Sequence, residues 1–369
     1  MNENNKKIKV VIATPNSGGP ITYSKILFLH LPKMGYEVRI VNFSSVENLP
    51  KLVRHVVYFL KLFFEGFKAD IIYAQDPVST GLPALLAAKL IGSRFFLKIV
   101  GDYAWEQGVQ RFAVKDSLDD FAKKKKYSFM VQLLRYIETF VAKRAEKIIV
   151  PSNYLKGIVE KWGIESGKIE VIYNAVSIDE IGRVPEAVKR MSKPLVVTAG
   201  RLVPWKGIKP LMKVFEGVWH ARLEGSNASL VVVGQGTEEK ELKDYAEELN
   251  IKNQCLFTGQ LSHEDTLAVM KEADIFVLNS TYEGLSHTLI EALKLGLCII
   301  ATDAGGNGEI IMNGNGLVIK TGDEKMLASN LKMLIEHQEK RAQFSAIAKE
   351  SAERFSIEAM LQKLALVLR

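Results

Sequence analysis

With 369 residues, the chain is longer than most single domains, and its length is typical of two domains. Its 47% hydrophobic and 25% charged residues are ordinary for a soluble globular protein. Only two cysteines occur, both inside apolar runs, and the six histidines are scattered. The composition therefore excludes a disulfide framework and a cluster of histidine and cysteine metal ligands.

No apolar run reaches the ~18 residues that a membrane-spanning helix needs, and the lysine-rich start lacks the apolar core of a signal peptide. Residues 1–185 carry 27 Lys and Arg against 18 Asp and Glu, a net +9, whereas residues 186–369 carry 22 against 24, a net −2. A basic first half predicts an anionic partner. Because zinc-finger spacing and RNA-binding aromatic motifs are missing, an anionic membrane surface is favoured over nucleic acid. The expected location is cytoplasmic, peripheral on the inner face of the membrane.

The first half alternates apolar runs with helical patterns, which predicts a parallel α/β domain. Its first turn contains Gly18 and Gly19, which would let a ligand approach the backbone closely, as in phosphate-binding loops. An ordinary strand-to-helix turn is the alternative. The strands predicted in this half are residues 7–13, 36–42, 70–74, 94–100, 147–150 and 168–173.

Two stretches of this half mix basic and apolar residues. Residues 49–68 read as an aromatic and aliphatic helix interrupted by lysine and arginine, which is typical of an interfacial membrane helix. A core helix with snorkelling lysines is the alternative. Residues 111–145 contain four consecutive lysines at 123–126, which either face solvent or dock on anionic lipid.

The fourth predicted strand ends in polar and aromatic residues, and such groups at a strand's carboxyl end lie in the ligand cleft of α/β proteins. Tyr103 and Trp105 are candidates to stack on a sugar or to pack a lid. Asp102 is a candidate to hold a hydroxyl of a ligand. The alternative is that Asp102 caps the next turn.

The irregular, charged residues 178–193 predict a linker, after which the α/β pattern restarts. A turn with Arg201 and Lys206 follows the first strand of this half, and two cations beside a helix N-terminus can neutralise a leaving diphosphate. Gly234 lies in a second glycine turn before a helix. The strands predicted here are residues 194–199, 230–233, 256–259, 274–278 and 297–301.

Residues 280–309 combine a loop, a helix and a strand around two carboxylates. Ser286 is a good N-cap, so the free N–H groups and positive dipole end of the helix would face the strand tips, a natural phosphate site. Glu283 lies on the loop and Glu291 on the helix. Because carboxylates accept from paired hydroxyls, the local chemistry predicts a nucleotide-sugar.

Glu283, seven intervening residues and Glu291, followed by Gly305, Gly306 and Glu309, resemble the signature of the retaining glycosyltransferases of family 4. The resemblance implies an α/β fold of the GT-B type, with two facing Rossmann-like doubly wound domains and a cleft between them. The implied domains are an acceptor-side domain at 1–180, a donor-binding domain at 181–352 and a C-terminal helix at 353–369 that crosses back to the first domain.

The resemblance also implies roles for individual residues. Arg201, Lys206 and the amides around Leu285, Ser286 and His287 would hold the donor diphosphate, Glu291 the ribose diol, and Glu283 the transferred sugar. Gly18, Gly19 and Gly234 would lie close to the donor, and the segment at Gly259 close to its base. Relatives often carry a histidine where this chain has Gly101, which leaves Asp102 as the substitute catalytic candidate. No metal and no cofactor are expected, because fixed cations and a helix dipole replace the metal.

The resemblance implies transfer of a sugar, with retention, from a nucleoside diphosphate to an acceptor hydroxyl. A UDP-sugar is the favoured donor, and GDP-mannose is the second choice. The basic first half favours a lipid-linked saccharide as acceptor. Two alternatives stay open: a nucleotide-sugar 2-epimerase on the same fold, and a catalytically silent partner subunit.

Overall fold

The structure, a computed structural model, describes residues 7–16, 18–124, 126–220, 227–312 and 314–369. The chain divides into two compact units. Unit 1 comprises residues 1–175 and 357–369, and unit 2 comprises residues 176–356. The residues expected to form the linker, 178–193, therefore lie within unit 2, where the Gly182 amide donates to the Glu264 carbonyl at 2.9 Å.

Unit 1 contains a six-stranded parallel sheet in the order β2-β1-β3-β4-β5-β6. Its inner strands are almost wholly buried runs of apolar residues, as expected when helices cover both faces of a sheet. The strands are β1 (Ile8–Thr14), β2 (Tyr36–Asn42), β3 (Ile71–Ala74), β4 (Arg94–Lys98), β5 (Lys147–Val150) and β6 (Ile169–Val171).

Helices connect the strands of unit 1, and three of them follow one another between β4 and β5. The helices are α1 (Gly19–His30), α2 (Lys51–Glu65), α3 (Gly81–Ile91), α4 (Tyr103–Arg111), α5 (Leu118–Lys123), α6 (Phe129–Arg144) and α7 (Asn153–Lys161). Single turns of 3₁₀ helix lie at Leu31–Met34, Phe43–Val46 and Ser166–Lys168.

Unit 2 repeats the architecture, with a parallel sheet in the order β12-β11-β10-β7-β8-β9. Its strands are β7 (Leu195–Ala199), β8 (Ser229–Val233), β9 (Cys255–Gly259), β10 (Ile275–Leu278), β11 (Ile299–Thr302) and β12 (Leu317–Ile319). Its helices are α8 (Glu186–Lys189), α9 (Ile208–His220), α10 (Glu239–Glu248), α11 (His263–Lys271), α12 (His287–Lys294), α13 (Asn307–Ile310), α14 (Glu324–Glu336) and α15 (Gln338–Ser351), with 3₁₀ turns at Pro204–Lys206 and Ala352–Phe355.

The last helix, α16 (Ile357–Leu368), packs in unit 1 although it follows unit 2 in sequence. Its buried face joins α1 and one side of the first sheet in a single apolar cluster. The Tyr36 hydroxyl donates to the Ala365 carbonyl at 3.1 Å, and the Arg94 guanidinium donates to the Leu368 carbonyl at 3.0 Å. These contacts fix the C-terminal helix to the strands of unit 1.

Two Rossmann-like parallel α/β units confirm the predicted fold class. Among the described residues, no helix combines the length and the apolar character needed to cross a bilayer.

Candidate functional site

The carboxyl ends of β7, β8 and β10 open onto one pocket in unit 2, at the edge where parallel α/β sheets bind ligands. Gly234, directly after β8, has a φ of 127°, and a Cβ there would lie 2.0 Å from the Gly200 carbonyl oxygen. Only glycine fits so close to the neighbouring strand end. The pocket is lined by Thr198, Ala199, Gly200, Arg201, Lys206, Ile208, Val233 and Leu278.

Lys206 and Glu283 form a close ion pair beside this pocket. The Lys206 Nζ lies 2.5 Å from the Glu283 Oε1, and the two side chains are 15% and 11% exposed. The Ser280 hydroxyl donates to the same Oε1 at 2.7 Å. One carboxylate oxygen therefore receives two donors in a site that is largely shielded from water, where charge-assisted hydrogen bonds are strong.

The turn that carries Lys206 is held to the loop that carries Glu283. Lys206 ends a 3₁₀ turn, and the next residue, Gly207, is left-handed with a φ of 61°. The Asn279 side-chain amide donates to the Gly207 carbonyl at 2.9 Å, and the Thr281 amide donates to the Trp205 carbonyl at 2.7 Å. These bonds bring two residues that are 77 positions apart into contact.

The backbone of the Glu283 loop is fixed from its other side by the strand and turn that follow α12. The Thr302 hydroxyl donates to the Ser280 carbonyl at 2.5 Å. The Gly306 amide donates to the Glu283 carbonyl at 3.0 Å. The glycine pair at 305–306 is thus part of the support of Glu283.

Arg201 lines the same pocket as Lys206 but is exposed. Its guanidinium carbon lies 5.8 Å from the centre of the buried Trp205 ring. The structure therefore brings the two predicted cations to one place, one paired and shielded and the other at the surface.

The N-terminus of α12 has the predicted cap. The Ser286 hydroxyl accepts a hydrogen bond from the Leu289 amide at 3.2 Å. Leu285 is buried before the cap, and His287, half-buried, is the first helical residue. An eight-residue helix that starts at a strand-tip loop carries the positive end of its dipole there.

Glu291 lies on α12 and is only 6% exposed. Burial raises the pKa of its carboxyl, and the nearby His263 imidazole acts in the opposite direction. The His263 Nδ1 lies 3.8 Å from the Glu291 Oε1. His263 begins α11, shortly after Gly259, which ends β9 with a φ of 68°. Glu291, His263 and the β9 turn all belong to unit 2.

Among the residues of unit 2 that support the site, the roles of Ser280, Asn279 and His263 were not predicted. Ser280 follows a buried strand in sequence, which marks a strand tip but does not show that its hydroxyl bonds to Glu283. Asn279 and His263 contact residues 72 and 28 positions away, and no local pattern encodes such pairs. Their only sequence signal is their position at the end of a strand or at the start of a helix.

The candidate glycines of unit 1 lie at the start of α1. Gly18 is exposed, has a φ of 82° and precedes the helix, which begins at Gly19 without a side-chain cap. The left-handed backbone of Gly18 explains a glycine at that position. The expected contact of Gly18 and Gly19 with a donor stays a prediction.

Asp102 is a buried helix cap. Its Oδ1 accepts from the Trp105 amide at 2.8 Å, its Oδ2 accepts from the Trp162 indole at 3.3 Å, and the residue is 1% exposed. Burial raises the pKa of Asp102 to about 6. The buried Glu138 lies beside it and accepts from the Ala104 amide at 3.2 Å. This geometry favours the capping alternative over a catalytic role.

Tyr103 and Trp105, the two aromatic candidates of the acceptor side, differ in how deeply they are buried. Tyr103 is half-buried, and its hydroxyl accepts from Ser79 at 3.0 Å. Trp105 is 4% exposed and donates from its indole to the Asp116 carbonyl at 2.9 Å. The ring of Trp105 is thus packed inside unit 1, where it anchors the segment that follows α4. Its expected place on the acceptor side stays a prediction.

Within the described part of the chain, no three His, Cys, Asp or Glu side chains are grouped so that they could hold a metal ion. The charged groups at the unit 2 pocket are Arg201, Lys206 and Glu283. Metal independence stays a prediction.

Two family models match the chain. The model described as Glycosyltransferase Family 4 matches residues 4–180, and the model described as Glycosyl transferases group 1 matches residues 183–351. A Campylobacter jejuni N-acetylgalactosamine-N,N'-diacetylbacillosaminyl-diphospho-undecaprenol 4-alpha-N-acetylgalactosaminyltransferase is 22% identical over 95% of this chain and 96% of its own length. An Escherichia coli UDP-Gal:alpha-D-GlcNAc-diphosphoundecaprenol alpha-1,3-galactosyltransferase is 26% identical over 76% of this chain and 68% of its own length.

The chain spans about half the length of several other curated relatives that it matches. Among solved structures, Anabaena HepE in complex with UDP superposes with a TM-score of 0.72 at 20% identity, over 98% of this chain and 99% of that chain. That likeness shows the shared fold.

Proposed function

We propose that this chain, which is a glycosyltransferase with the GT-B fold, moves a sugar with retention from a nucleoside diphosphate to a hydroxyl of a lipid-linked acceptor. The observation that carries the proposal is the shielded pair of Lys206 and Glu283 at the strand-tip pocket of unit 2. A diphosphate needs cations and a sugar needs carboxylate acceptors for its hydroxyls, and the pair supplies both within one contact.

In this proposal the donor lies along the pocket of unit 2. Arg201 and Lys206 hold the diphosphate together with the amides at the start of α12, from Leu285 to His287. Glu283 accepts from hydroxyls of the transferred sugar through the oxygen that Lys206 leaves available, and Glu291 accepts from the ribose diol. The Glu283 Oε1 is buried and accepts two hydrogen bonds, from Lys206 and from Ser280. These bonds support the arrangement, because they fix the carboxylate before the sugar binds.

The proposed chemical step breaks the bond between the anomeric carbon and the diphosphate oxygen. The acceptor hydroxyl bonds to the same face of that carbon, and its proton passes to the leaving diphosphate. No protein nucleophile is required. Lys206 and Arg201 stabilise the negative charge that grows on the leaving group, which is the role of a fixed cation in a shielded site.

A UDP-sugar is the favoured donor and GDP-mannose the next. The galactosyltransferase from Escherichia coli carries UDP-Gal in its name, and HepE has been solved with UDP. Both relatives reported above carry a diphospho-undecaprenol or diphosphoundecaprenol acceptor in their names, which supports a lipid-linked acceptor here. Unit 1 is the proposed acceptor side, and the proposed location is the inner face of the membrane.

A transfer assay tests the proposal. Purified protein is incubated with labelled UDP-sugars or GDP-mannose and a lipid diphosphate saccharide, and the anomeric configuration of the product is read by NMR. We expect transfer from one donor, with the configuration of that donor kept. An inverted product would contradict retention.

The same assay separates the two alternatives. A nucleotide-sugar 2-epimerase would change the donor without any acceptor. A silent partner subunit would give no product and bind no nucleoside diphosphate. No observation of this structure favours either alternative over transfer.

A further inference from the structure

We propose that Arg354 is a positioning residue of the unit 2 site, which holds Glu283 in place through the short helix α13. The guanidinium of Arg354 binds the backbone at one end of α13, and the backbone at the other end binds the Glu283 loop. The inference rests on the proposed function for the role of Glu283. The rigidity of the Glu283 loop can nevertheless be measured without any transfer, so the two proposals fail separately.

Arg354 caps the carboxyl end of α13. It is half-buried and lies in the 3₁₀ turn Ala352–Phe355, close to the end of unit 2. Its Nη2 donates to the Glu309 carbonyl at 2.7 Å and to the Ile310 carbonyl at 2.5 Å, and its Nη1 donates to the Met312 sulfur. A cation that donates to the last carbonyls of a helix complements the negative end of the helix dipole.

The helix α13 depends on such external partners because it is very short. It has four residues, and a single helical turn of that length is unstable by itself in water. A second side chain, that of the buried Asn315, donates from its amide to the Ile310 carbonyl at 3.1 Å. Arg354 and Asn315 therefore both hold the end of a turn that has little stability of its own.

The start of α13 supports Glu283. The Gly306 amide, directly before α13, donates to the Glu283 carbonyl at 3.0 Å. The Asn307 side-chain amide donates to the Thr302 carbonyl at 3.2 Å, and the Thr302 hydroxyl donates to the Ser280 carbonyl at 2.5 Å. Because the Ser280 hydroxyl also donates to the Glu283 Oε1, displacement of α13 would move both the backbone and the carboxylate of Glu283.

The surroundings of α13 make this connection stiff. Asn307 and Ile310 are 0% exposed, so the helix turn is enclosed at both ends. The guanidinium carbon of Arg354 lies 4.7 Å from the centre of the ring of Phe355, which is itself buried. A guanidinium stacked on a buried ring has a fixed position. A change at Arg354 is therefore transmitted to α13 rather than absorbed by a flexible side chain.

Arg341 supplies a matched control for the general effect of losing a helix-capping arginine. Arg341 is also half-buried, and its Nη1 donates to the Leu334 and Ile335 carbonyls at 2.6 and 3.2 Å, at the end of α14. It lies beside Cys298, where burial raises the pKa of the thiol to about 12 and the guanidinium lowers it. Cys298 precedes β11, whereas Glu283 follows the carboxyl end of β10, so the two arginines act at opposite edges of the sheet.

Steady-state kinetics with the UDP-sugar that gives transfer tests the inference. In Arg354→Met we expect kcat to fall roughly 10–100-fold, because a catalytic group displaced by about 1 Å loses this much rate. The Kd of uridine diphosphate, which lacks the sugar, should stay unchanged. Arg354→Lys should have an intermediate kcat, since an ammonium can still donate to one carbonyl. Arg341→Met should keep the kcat of the wild type. Equal losses of kcat in Arg354→Met and Arg341→Met would overturn the inference.

Hydrogen exchange read by mass spectrometry tests the same connection without catalysis. In Arg354→Met, peptides that cover residues 303–311 should exchange faster, because α13 loses its cap. Peptides that cover residues 280–289 should exchange faster as well, because they contain the Glu283 loop. In Arg341→Met both regions should keep their wild-type rates. Faster exchange at 303–311 with unchanged exchange at 280–289 would overturn the inference, because Arg354 would then support α13 alone.

Two provisions keep the outcomes separable. If Arg354→Met does not fold, Arg354→Lys takes its place, and wild-type exchange at residues 280–289 in that variant would overturn the inference. Absence of transfer by the wild type would refute the proposed function alone, because exchange at residues 280–289 still reports whether Arg354 holds the Glu283 loop.

Discussion

At the scale of single residues, the unit 2 pocket depends on one shared atom. The Glu283 Oε1 accepts from the Lys206 ammonium and from the Ser280 hydroxyl, at 2.5 and 2.7 Å. Because the pair is largely shielded from water, each partner fixes the position of the other. The cation and the carboxylate therefore act as one unit, and the loss of either affects both.

Lys206→Met should impair catalysis and stability together. We expect kcat/KM to fall roughly 10²–10³-fold, because a cation at the leaving group is lost. The free energy of unfolding should fall by about 1–3 kcal/mol, because Glu283 keeps only one of its two donors in a shielded site. Steady-state kinetics and urea denaturation measure the two effects.

Lys209→Met is the matched control for Lys206→Met. Lys209 lies three residues later, and its ion pair with Glu241 is exposed on both sides. Exposed pairs contribute little, so both kcat/KM and stability should stay unchanged. Equal losses in the two variants would show that Lys206 has no special role.

Asp102→Asn should stabilise the protein at neutral pH and leave transfer intact. The folded-state pKa of Asp102 is about 6, above the value near 3.9 of an unfolded chain. Between these two pKa values, Asp102 is protonated in the folded state but ionised in the unfolded state. The free energy of unfolding of the wild type therefore falls as the pH rises through this range. Asparagine does not titrate, although its amide nitrogen cannot accept from the Trp162 indole, which adds a cost that is independent of pH. The stability difference should therefore shift in favour of the variant by roughly 2–3 kcal/mol between pH 4 and pH 7.

Thermal unfolding from pH 4 to pH 8 follows this stability difference, and a transfer assay follows activity. A constant difference across that range would refute the titration argument. Loss of transfer with intact stability would restore Asp102 as a catalytic residue. Burial raises the pKa of the neighbouring Glu138 well above its ordinary value, and the Asp102 carboxylate raises it further, so Asp102→Asn also lowers the pKa of Glu138.

At the scale of elements, the turn from β7 to α9 depends on Gly207. Its φ is 61°, and a Cβ there would lie 2.1 Å from the Asn279 carbonyl oxygen. Gly207→Ala should therefore lower the free energy of unfolding by roughly 2–4 kcal/mol and weaken binding of nucleoside diphosphates. Chemical denaturation and isothermal titration calorimetry measure the two effects.

Gly217→Ala is the control within the next helix. Gly217 is exposed near the end of α9, and an added Cβ there would have nothing within 4 Å. The substitution should raise stability by about 0.5–1 kcal/mol, the usual gain of alanine over glycine in a helix. Opposite signs at positions 207 and 217 are the expected pattern, and destabilisation at both would contradict it.

Elements with long apolar runs could be predicted from the sequence, and weakly patterned ones could not. Eleven predicted strands match observed ones within a few residues at each end. The strand β12, at Leu317–Ile319, was missed because it has three residues, and only one of them is buried. The helix α4, at Tyr103–Arg111, was missed because its polar residues look like a loop until Asp102 caps it.

The site was predictable where one short segment carries it. The cap at Ser286, the turn before Lys206 and the loop of Glu283 all follow from local patterns. The contact between Lys206 and Glu283 joins two loops 77 residues apart, and only the strand order of the sheet brings those loops together. The burial of Trp105 could not be predicted, because an aromatic residue at a strand tip has the same sequence context whether it faces a ligand or the core.

At the scale of the whole molecule, the chain builds two sheets of the same size but completes the first unit with its last helix. Leu364 of α16 is 0% exposed, whereas Leu366 is 74% exposed. Leu364→Ala should therefore destabilise unit 1 by roughly 2–5 kcal/mol, and Leu366→Ala should change it by less than about 0.5 kcal/mol.

Hydrogen exchange read by mass spectrometry shows where the Leu364→Ala effect falls. Peptides from β1, β3 and β4 should exchange faster, because these strands share the apolar cluster with α16. Peptides from β7, β8 and β10 should keep their wild-type rates. Faster exchange confined to unit 2 would show that α16 supports the other unit.

The measurement that tests the central claim most directly is thermal unfolding of the wild type and Lys206→Met against uridine, guanosine, adenosine and thymidine diphosphates. A ligand at 100 times its Kd adds about 2.7 kcal/mol of stability, which corresponds to a rise of roughly 5–10 °C for a unit of this size. We expect this rise with one nucleotide, uridine diphosphate first, and a much smaller rise in Lys206→Met. No rise with any of the four nucleotides would contradict a donor site in unit 2.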